Sequence, residues 1–285
     1  MNRSLSAIFV CAALGLAGCS APGRVASFLY RAGCETPGAY SPAARFNAAA
    51  MENLVWSPFG RPERGWAVYA PRLQQEIRTG CPPQSAGFAA RMARWQRAHD
   101  LRPDGAVDAD SFQVIKGAWQ AERPFHALRA QGVCPDPPPR AELVALPDDE
   151  VWADKTILMR RQAAEALGRM LAAAWREEPR TARGPDRLVA FSGFRSPEDD
   201  AERCARDHDC DGVGRAVCSA HRTGQAVDLA LGAAPGYAID SSADANRLYQ
   251  SRTPAYRWLV DNAARYGFVN YPFEPWHWEW TGEAP

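Results

Sequence analysis

The arrangement of cysteines is the strongest constraint on this chain. Cys34, Cys81 and Cys134 precede a run of prolines, and Cys204, Cys210 and Cys218 follow it. An even set in an exported protein reads as a disulfide framework. Sequence alone does not choose the pairing. With three cysteines on each side, however, complete pairing requires at least one bridge across the proline run, stapling the two halves together. Pro135, Pro137, Pro138 and Pro139 favour extended polyproline geometry, so residues 134–150 read as a semi-rigid linker. A length of 285 residues also exceeds a typical single domain. The expected organisation is a small helical domain over 36–133, the linker, and a second domain over 151–285. Lys and Arg together number 33 and so do Asp and Glu. This balance offers no electrostatic footprint for nucleic acid, and no nucleic-acid partner is expected.

The export reading rests on the first residues. Arg3 is followed by a short apolar stretch, Leu5 to Gly18, where a bilayer span needs about 20 residues. It reads as a secretory signal over 1–18. Leu16-Ala17-Gly18-Cys19 resembles the bacterial lipobox. That resemblance implies cleavage before Cys19, a lipid on its thiol, and a tether over 19–35. Acyl chains insert at about 0.8 kcal/mol per buried methylene, so a multiply acylated cysteine anchors stably. Ser20 in place of aspartate implies the outer membrane, facing the periplasm of a Gram-negative bacterium.

Between 46 and 131 the periodicity is helical. Leu73 and Ile77 stand one turn apart, and Phe88, Met92 and Trp95 follow at spacings of four and three. Pro103-Asp104-Gly105 marks a tight turn, after which Asp110 or Ser111 is placed to cap a helix containing Phe112 and Ile115. Trp95-Gln96, Leu101, Asp104-Gly105-Ala106-Val107 and Ser111-Phe112 resemble the peptidoglycan-binding type 1 module, over about residues 65 to 120. Asp108 departs from the glycine usual there. The resemblance implies that this domain holds peptidoglycan.

The second half mixes periods. Ile157 to Trp175 reads as a helix with Ala163, Ala164, Leu167, Met170, Leu171 and Ala174 on one face, and Arg160, Arg161 and Arg169 outside. Leu188–Phe191, Gln225–Leu231, Phe268–Tyr271 and Trp276–Trp280 read as strands. Pro254 opens a helix that Gly267 closes. The expected fold class is α+β: a mostly antiparallel C-terminal sheet with flanking helices, plus the small N-terminal helical domain.

Chemistry concentrates in two stretches. On a strand through this stretch, Gly224, Ala226 and Asp228 share one face, while Val227 and Leu229 point to the core. His221, just before the strand, reaches the same space, and imidazole with carboxylate suits zinc. Glu274-Pro275-Trp276-His277 offers a second imidazole and a further carboxylate. A catalytic zinc keeps three protein ligands and one open position. A carboxylate outside that set must still shuttle the proton of the attacking water, and Glu274 fits.

Taken together, Ser219-x-His221-x-x-Gly224-x-Ala226-x-Asp228, Glu274-x-x-His277 and Ser192-Gly193-Phe194-Arg195-Ser196 resemble the metallo-D,D-carboxypeptidases related to the vancomycin-resistance enzymes, with a Hedgehog/DD-peptidase-like fold. The resemblance implies one zinc on His221, Asp228 and His277, with Glu274 as base and acid. It implies Arg195 at the oxyanion or the substrate, and Ser219 as a substrate contact; Ser196 and Trp276, beside these motif residues, are further candidate substrate contacts. The glutamine that follows the Arg-Ser pair in many relatives is absent from Pro197-Glu198-Asp199-Asp200. The activity implied is removal of D-alanine from peptidoglycan stem peptides. Cross-link endopeptidase and L,D-carboxypeptidase activity use the same metal chemistry, and a non-catalytic wall-binding lipoprotein is the alternative of another class. Asp207, Asp209, Asp211 and Gly212 also have the start of a calcium loop, although Cys218 stands where its bidentate glutamate belongs.

Overall fold

The computed structural model describes residues 33–35, 38–153, 155–184, 187–208, 210 and 216–282. The signal sequence and the lipobox with Cys19 lie outside the described residues. So do Asp209, Asp211 and Gly212. Among the described residues, no helix is long and apolar enough to cross a membrane.

The N-terminal unit is helical, comprising α1 (Ser41–Asn53), α2 (Ala70–Glu76), α3 (Ala86–Ala98), α4 (Ala109–Ala121) and α5 (Pro124–Ala130). A short antiparallel pair, β1 (Val55–Trp56) and β2 (Glu63–Arg64), follows α1. Phe88 and Met92 are fully buried on the predicted face of α3, packed with Trp66, Tyr69, Leu73, Phe112 and Ile115. Each such side chain contributes about 1.5–3 kcal/mol by leaving water. Gly105 is indispensable to the turn between α3 and α4. Its φ is +82°, and a Cβ there would stand 2.5 Å from the Ala89 carbonyl oxygen. Two buried amides hold the turn: Gln96 accepts from Gly105 N–H at 2.8 Å, and Asn47 of α1 accepts from Val107 N–H at 2.8 Å. The cap of α4 is Asp108, neither Asp110 nor Ser111. Its extended backbone aims the carboxylate at Ser111 N–H, 2.9 Å away. Ser111 lies inside the first turn, and its hydroxyl accepts from Gln96.

The C-terminal unit is α+β. β3 (Leu143–Ala145) pairs with β4 (Leu158–Arg160), and the main sheet runs β5 (Ala190–Ser192), β6 (Ala226–Leu229), β8 (His277–Trp280), β7 (Phe268–Asn270) in spatial order, antiparallel throughout. The long helix α6 (Arg161–Glu177) buries Ala163, Ala164, Leu167, Met170, Leu171 and Ala174 as its periodicity requires. It starts later than the pattern suggested. Residues 158–160 are extended and pair with 143–145, and Arg160 N–H donates to the Gly224 carbonyl at 2.8 Å. The stretch read from its prolines as a linker therefore contains a strand of the second unit. Three further helices complete it: α7 (Pro197–Asp207), α8 (Asp244–Ser251) and α9 (Pro254–Asn262).

The two units are pressed together and covalently joined. Cys134–Cys218 is the bridge that crosses the proline run, while Cys34–Cys81 and Cys204–Cys210 close within their own halves. Arg247 of α8 is fully buried at the junction. It donates to Glu63 at 3.0 Å, to the Tyr69 hydroxyl at 2.6 Å and to the Phe273 carbonyl at 2.7 Å. Burial would depress the guanidinium pKa, but Tyr69 and Glu63 outweigh it and raise the pKa. Phe59 sits among Tyr69, Tyr271 and Phe273. Arg247→Ala strands the buried Glu63 carboxylate, and loss of one partner of a buried ion pair costs about 3–5 kcal/mol. The expected outcome is a matching fall in unfolding free energy, read from the urea midpoint at unchanged slope.

Candidate metal centre

Period-two alternation along β6 and β8 builds the site. Asp228 pairs directly with His277, and Ala226 with Glu279. These four side chains therefore share one face of the sheet, while Val227, Leu229, Trp278 and Trp280 pack in the core behind it. His221 arrives from the 3-10 turn Ala220–Thr223, which Gly224 ends at φ +70°. Three potential ligand atoms converge: His221 Nε2 lies 3.1 Å from Asp228 Oδ1 and 3.2 Å from His277 Nδ1, and the last two are 2.9 Å apart. Around a tetrahedral ion with bonds of about 2.0–2.1 Å, ligand atoms stand roughly 3.3 Å from one another. The three residues are the group among those described that could hold a metal ion.

Hydrogen-bond chemistry tests the fit. His221 Nδ1 is 2.6 Å from the Gly193 carbonyl, which only accepts, so Nδ1 carries the proton. Burial first, and Arg195 second, push the His221 pKa down to about 4, so the ring is neutral. Its Nε2 lone pair therefore points at Asp228 and His277. The other nitrogen of His277, Nε2, is buried without a hydrogen-bond partner, and Glu279 Oε1 faces it at 3.4 Å. A proton on that nitrogen leaves Nδ1 bare. Two imidazole lone pairs and a carboxylate oxygen then meet with no hydrogen between them, an arrangement that a cation stabilises. Without one, the two carboxylates beside His277 overcome its burial and raise its pKa to about 9. The residues fit a divalent metal.

The surrounding residues prepare a reaction space. Glu274, Arg195, Ser219, His221 and His277 line one cavity of about 590 Å³. Glu274 is largely buried in the turn between β7 and β8. The side-chain amide of Asn270 faces the carbonyls of Glu274, Pro275 and His277 at 3.3, 3.4 and 2.9 Å, which holds that turn. Arg195 Nη2 lies 4.0 Å from Asp228 Oδ2, and its Nε is buried without a hydrogen-bond partner. Burial lowers its pKa, while Asp228 and Asp200 act in the other direction. Ser219 donates its hydroxyl to Asp200 at 2.8 Å.

Not every predicted residue reaches the cavity. Ser196 is the N-cap of α7, forming a reciprocal capping box with Asp199. Trp276 is buried in the core behind the sheet and is absent from the cavity lining. Ala226, on the same face of β6 as Asp228, is covered by Phe125. The calcium reading finds no support. Asp207 ends α7 paired with Arg206 at 3.1 Å, and its expected companions lie outside the described residues.

Sequence reasoning missed Asp200, which is buried in α7 within 4 Å of Ser219, Arg195 and Arg222. It also missed Glu279, although two residues beyond His277 on a strand means the same face. A third omission was the far wall of the cavity, supplied by Phe59, Lys116, Arg123, Phe125 and His126 of the N-terminal unit.

The family model of D-alanyl-D-alanine carboxypeptidase, VanY, matches residues 156–283. Among solved structures, the LdcB LD-carboxypeptidase is 27% identical, with a TM-score of 0.38 over 52% of this chain and 70% of that one. VanYB in complex with D-alanine-D-alanine is 22% identical, with a TM-score of 0.32 over 51% of this chain and 82% of that one. A VanY D,D-pentapeptidase in complex with Zn(II) is 22% identical, with a TM-score of 0.30 over 48% and 83%. None of the curated proteins matches the chain. Residues 156–283 are thus similar to a D,D-carboxypeptidase or a related peptidoglycan peptidase, and the His221-Asp228-His277 group within them is compatible with metal binding. Asp228→Ala or His277→Ala should leave the protein with well under one equivalent of tightly bound metal, whereas His99→Ala should retain it. Elemental analysis after gel filtration checks this.

Proposed function

We propose that this protein is a zinc-dependent D-alanyl-D-alanine carboxypeptidase acting on peptidoglycan stem peptides. It is exported and held by a lipid on Cys19 at the periplasmic face of the outer membrane. The observation that carries the reading is the convergence of His221, Asp228 and His277 beside Glu274 and Arg195 in one cavity. The match of residues 156–283 to the VanY family model supports the substrate class.

His221 Nε2, Asp228 Oδ1 and His277 Nδ1 would hold the ion. A zinc ion bound there supplies a Lewis acid and lowers the pKa of a water molecule from 15.7 to about 7. Glu274 takes the proton of the attacking water and returns it to the leaving amine of the terminal D-alanine. Arg195, held beside Asp228 and Asp200, faces the negative charge that develops on the attacked carbonyl oxygen. Asp200 fixes Ser219 at the cavity rim, where the serine meets the peptide. A cavity of about 590 Å³ suits the end of a peptide. The N-terminal unit, whose sequence resembles a peptidoglycan-binding module, meets the same polymer along the far wall.

Glu274→Ala should retain one equivalent of zinc while turnover falls roughly 10²–10⁴-fold. Mass spectrometry of pentapeptide muropeptides incubated with the zinc-loaded full chain should register the loss of one D-alanine. Unchanged D-alanine release by the variant would remove Glu274 from its role, and scission only at a cross-link would replace carboxypeptidase by endopeptidase.

A further inference from the structure

Glu279 does not belong to the ligand set, yet the structure gives it an elaborate environment. It is 2% exposed and stands on the same face of β8 as His277. Such a carboxylate is expensive to bury unless paired and hydrogen-bonded. Its partners come from the other end of the chain. Arg123, at the N-cap of α5, donates through Nε at 2.8 Å and Nη2 at 2.5 Å to Glu279 Oε1, and Phe125 N–H donates to Oε2 at 3.2 Å. Arg123 is itself buried, stacked 3.9 Å from the centroid of the Tyr271 ring and held on its far side by Gln120 at 2.6 Å. The oxygen that Arg123 grips is the one that faces His277 Nε2 at 3.4 Å. That nitrogen is buried, and the Glu279 carboxylate is the acceptor that faces it.

We infer that Arg123 is a positioning residue for the metal centre. It fixes Glu279, and Glu279 orients His277 and keeps the proton on Nε2, so that Nδ1 stays bare toward the ion. This rests on the metallopeptidase reading proposed above and deepens it. Carboxylates behind metal-bound imidazoles set the tautomer and strengthen the ligand, and their removal costs about 10–100-fold in metal affinity. The unusual element is that the carboxylate is aimed from another structural unit. The N-terminal helices thus complete the metal centre as well as walling the cleft. A purely structural pair would stabilise the junction without touching the metal, so metal affinity separates the two roles.

The test uses the full chain and zinc alone, with no substrate. Zinc dissociation constants are measured by competition with a chromophoric chelator, alongside thermal unfolding in excess chelator. Glu279→Gln should weaken zinc binding about 10–100-fold. Arg123→Gln should weaken it about tenfold, Arg123→Lys should recover part of the loss, and the double variant should bind no worse than Glu279→Gln alone. Lower melting temperatures with zinc affinity within twofold of wild type would overturn the inference and leave a structural salt bridge. Wild-type protein that binds no stoichiometric zinc would overturn the metallopeptidase reading, and this inference with it. If both single variants fail to fold, Gln120→Ala, which removes only the far-side support of Arg123, should still raise the zinc off-rate. An unchanged off-rate would equally overturn the assignment.

Discussion

The pairing of Asp228 with His277 across two antiparallel strands is the constraint on which the site depends. A slip of one residue between β6 and β8 would turn every side chain of one strand to the opposite face. Asp228 or His277 would enter the core, and Val227 or Trp278 would face the cavity. Burial prevents the slip: Val227, Leu229, Trp278 and Trp280 form part of one continuous core with α6 and α9. The hydrophobic effect therefore sets the register, and the register sets the geometry of the His221-Asp228-His277 group. His221 is added by a turn whose closing glycine adopts a positive φ.

Electrostatics on the cavity face follows from the same placement. Asp228 and Glu279 flank His277, and both remain charged although buried. Burial raises the pKa of Glu279, but Arg123 and His277 outweigh it and bring the value down to about 2. Arg195 and Arg123 supply the balancing positive charge from opposite walls. A buried cluster of fixed charge is suited to a reaction that creates charge on a carbonyl oxygen, because such groups need little reorganisation as the charge forms.

Much of this was legible in the sequence, for identifiable reasons. The motif at 219–228 and that at 274–277 are local, and strand alternation places Asp228 on the right face without knowledge of the fold. The helical face of α6 and the crossing disulfide followed from spacing and from odd numbers of cysteines. What stayed hidden depends on long-range contact. Arg123 and Glu279 are separated by 156 positions, and no pattern within either segment announces the other. Phe125 covering Ala226 is a fact of the same kind. Leu143–Ala145 was masked by neighbouring prolines, whose extended preference suits a spacer and a short strand equally. Trp276 is another such case, because it lies in the turn just before β8 and only the packing of the core shows which way that turn directs it.

The most direct test of the account is zinc K-edge X-ray absorption on the zinc-loaded full chain. It should show nitrogen and oxygen scatterers at about 2.0–2.1 Å, with the outer-shell pattern of two imidazoles. A sulfur shell at about 2.3 Å, a single imidazole, or no bound zinc would contradict it.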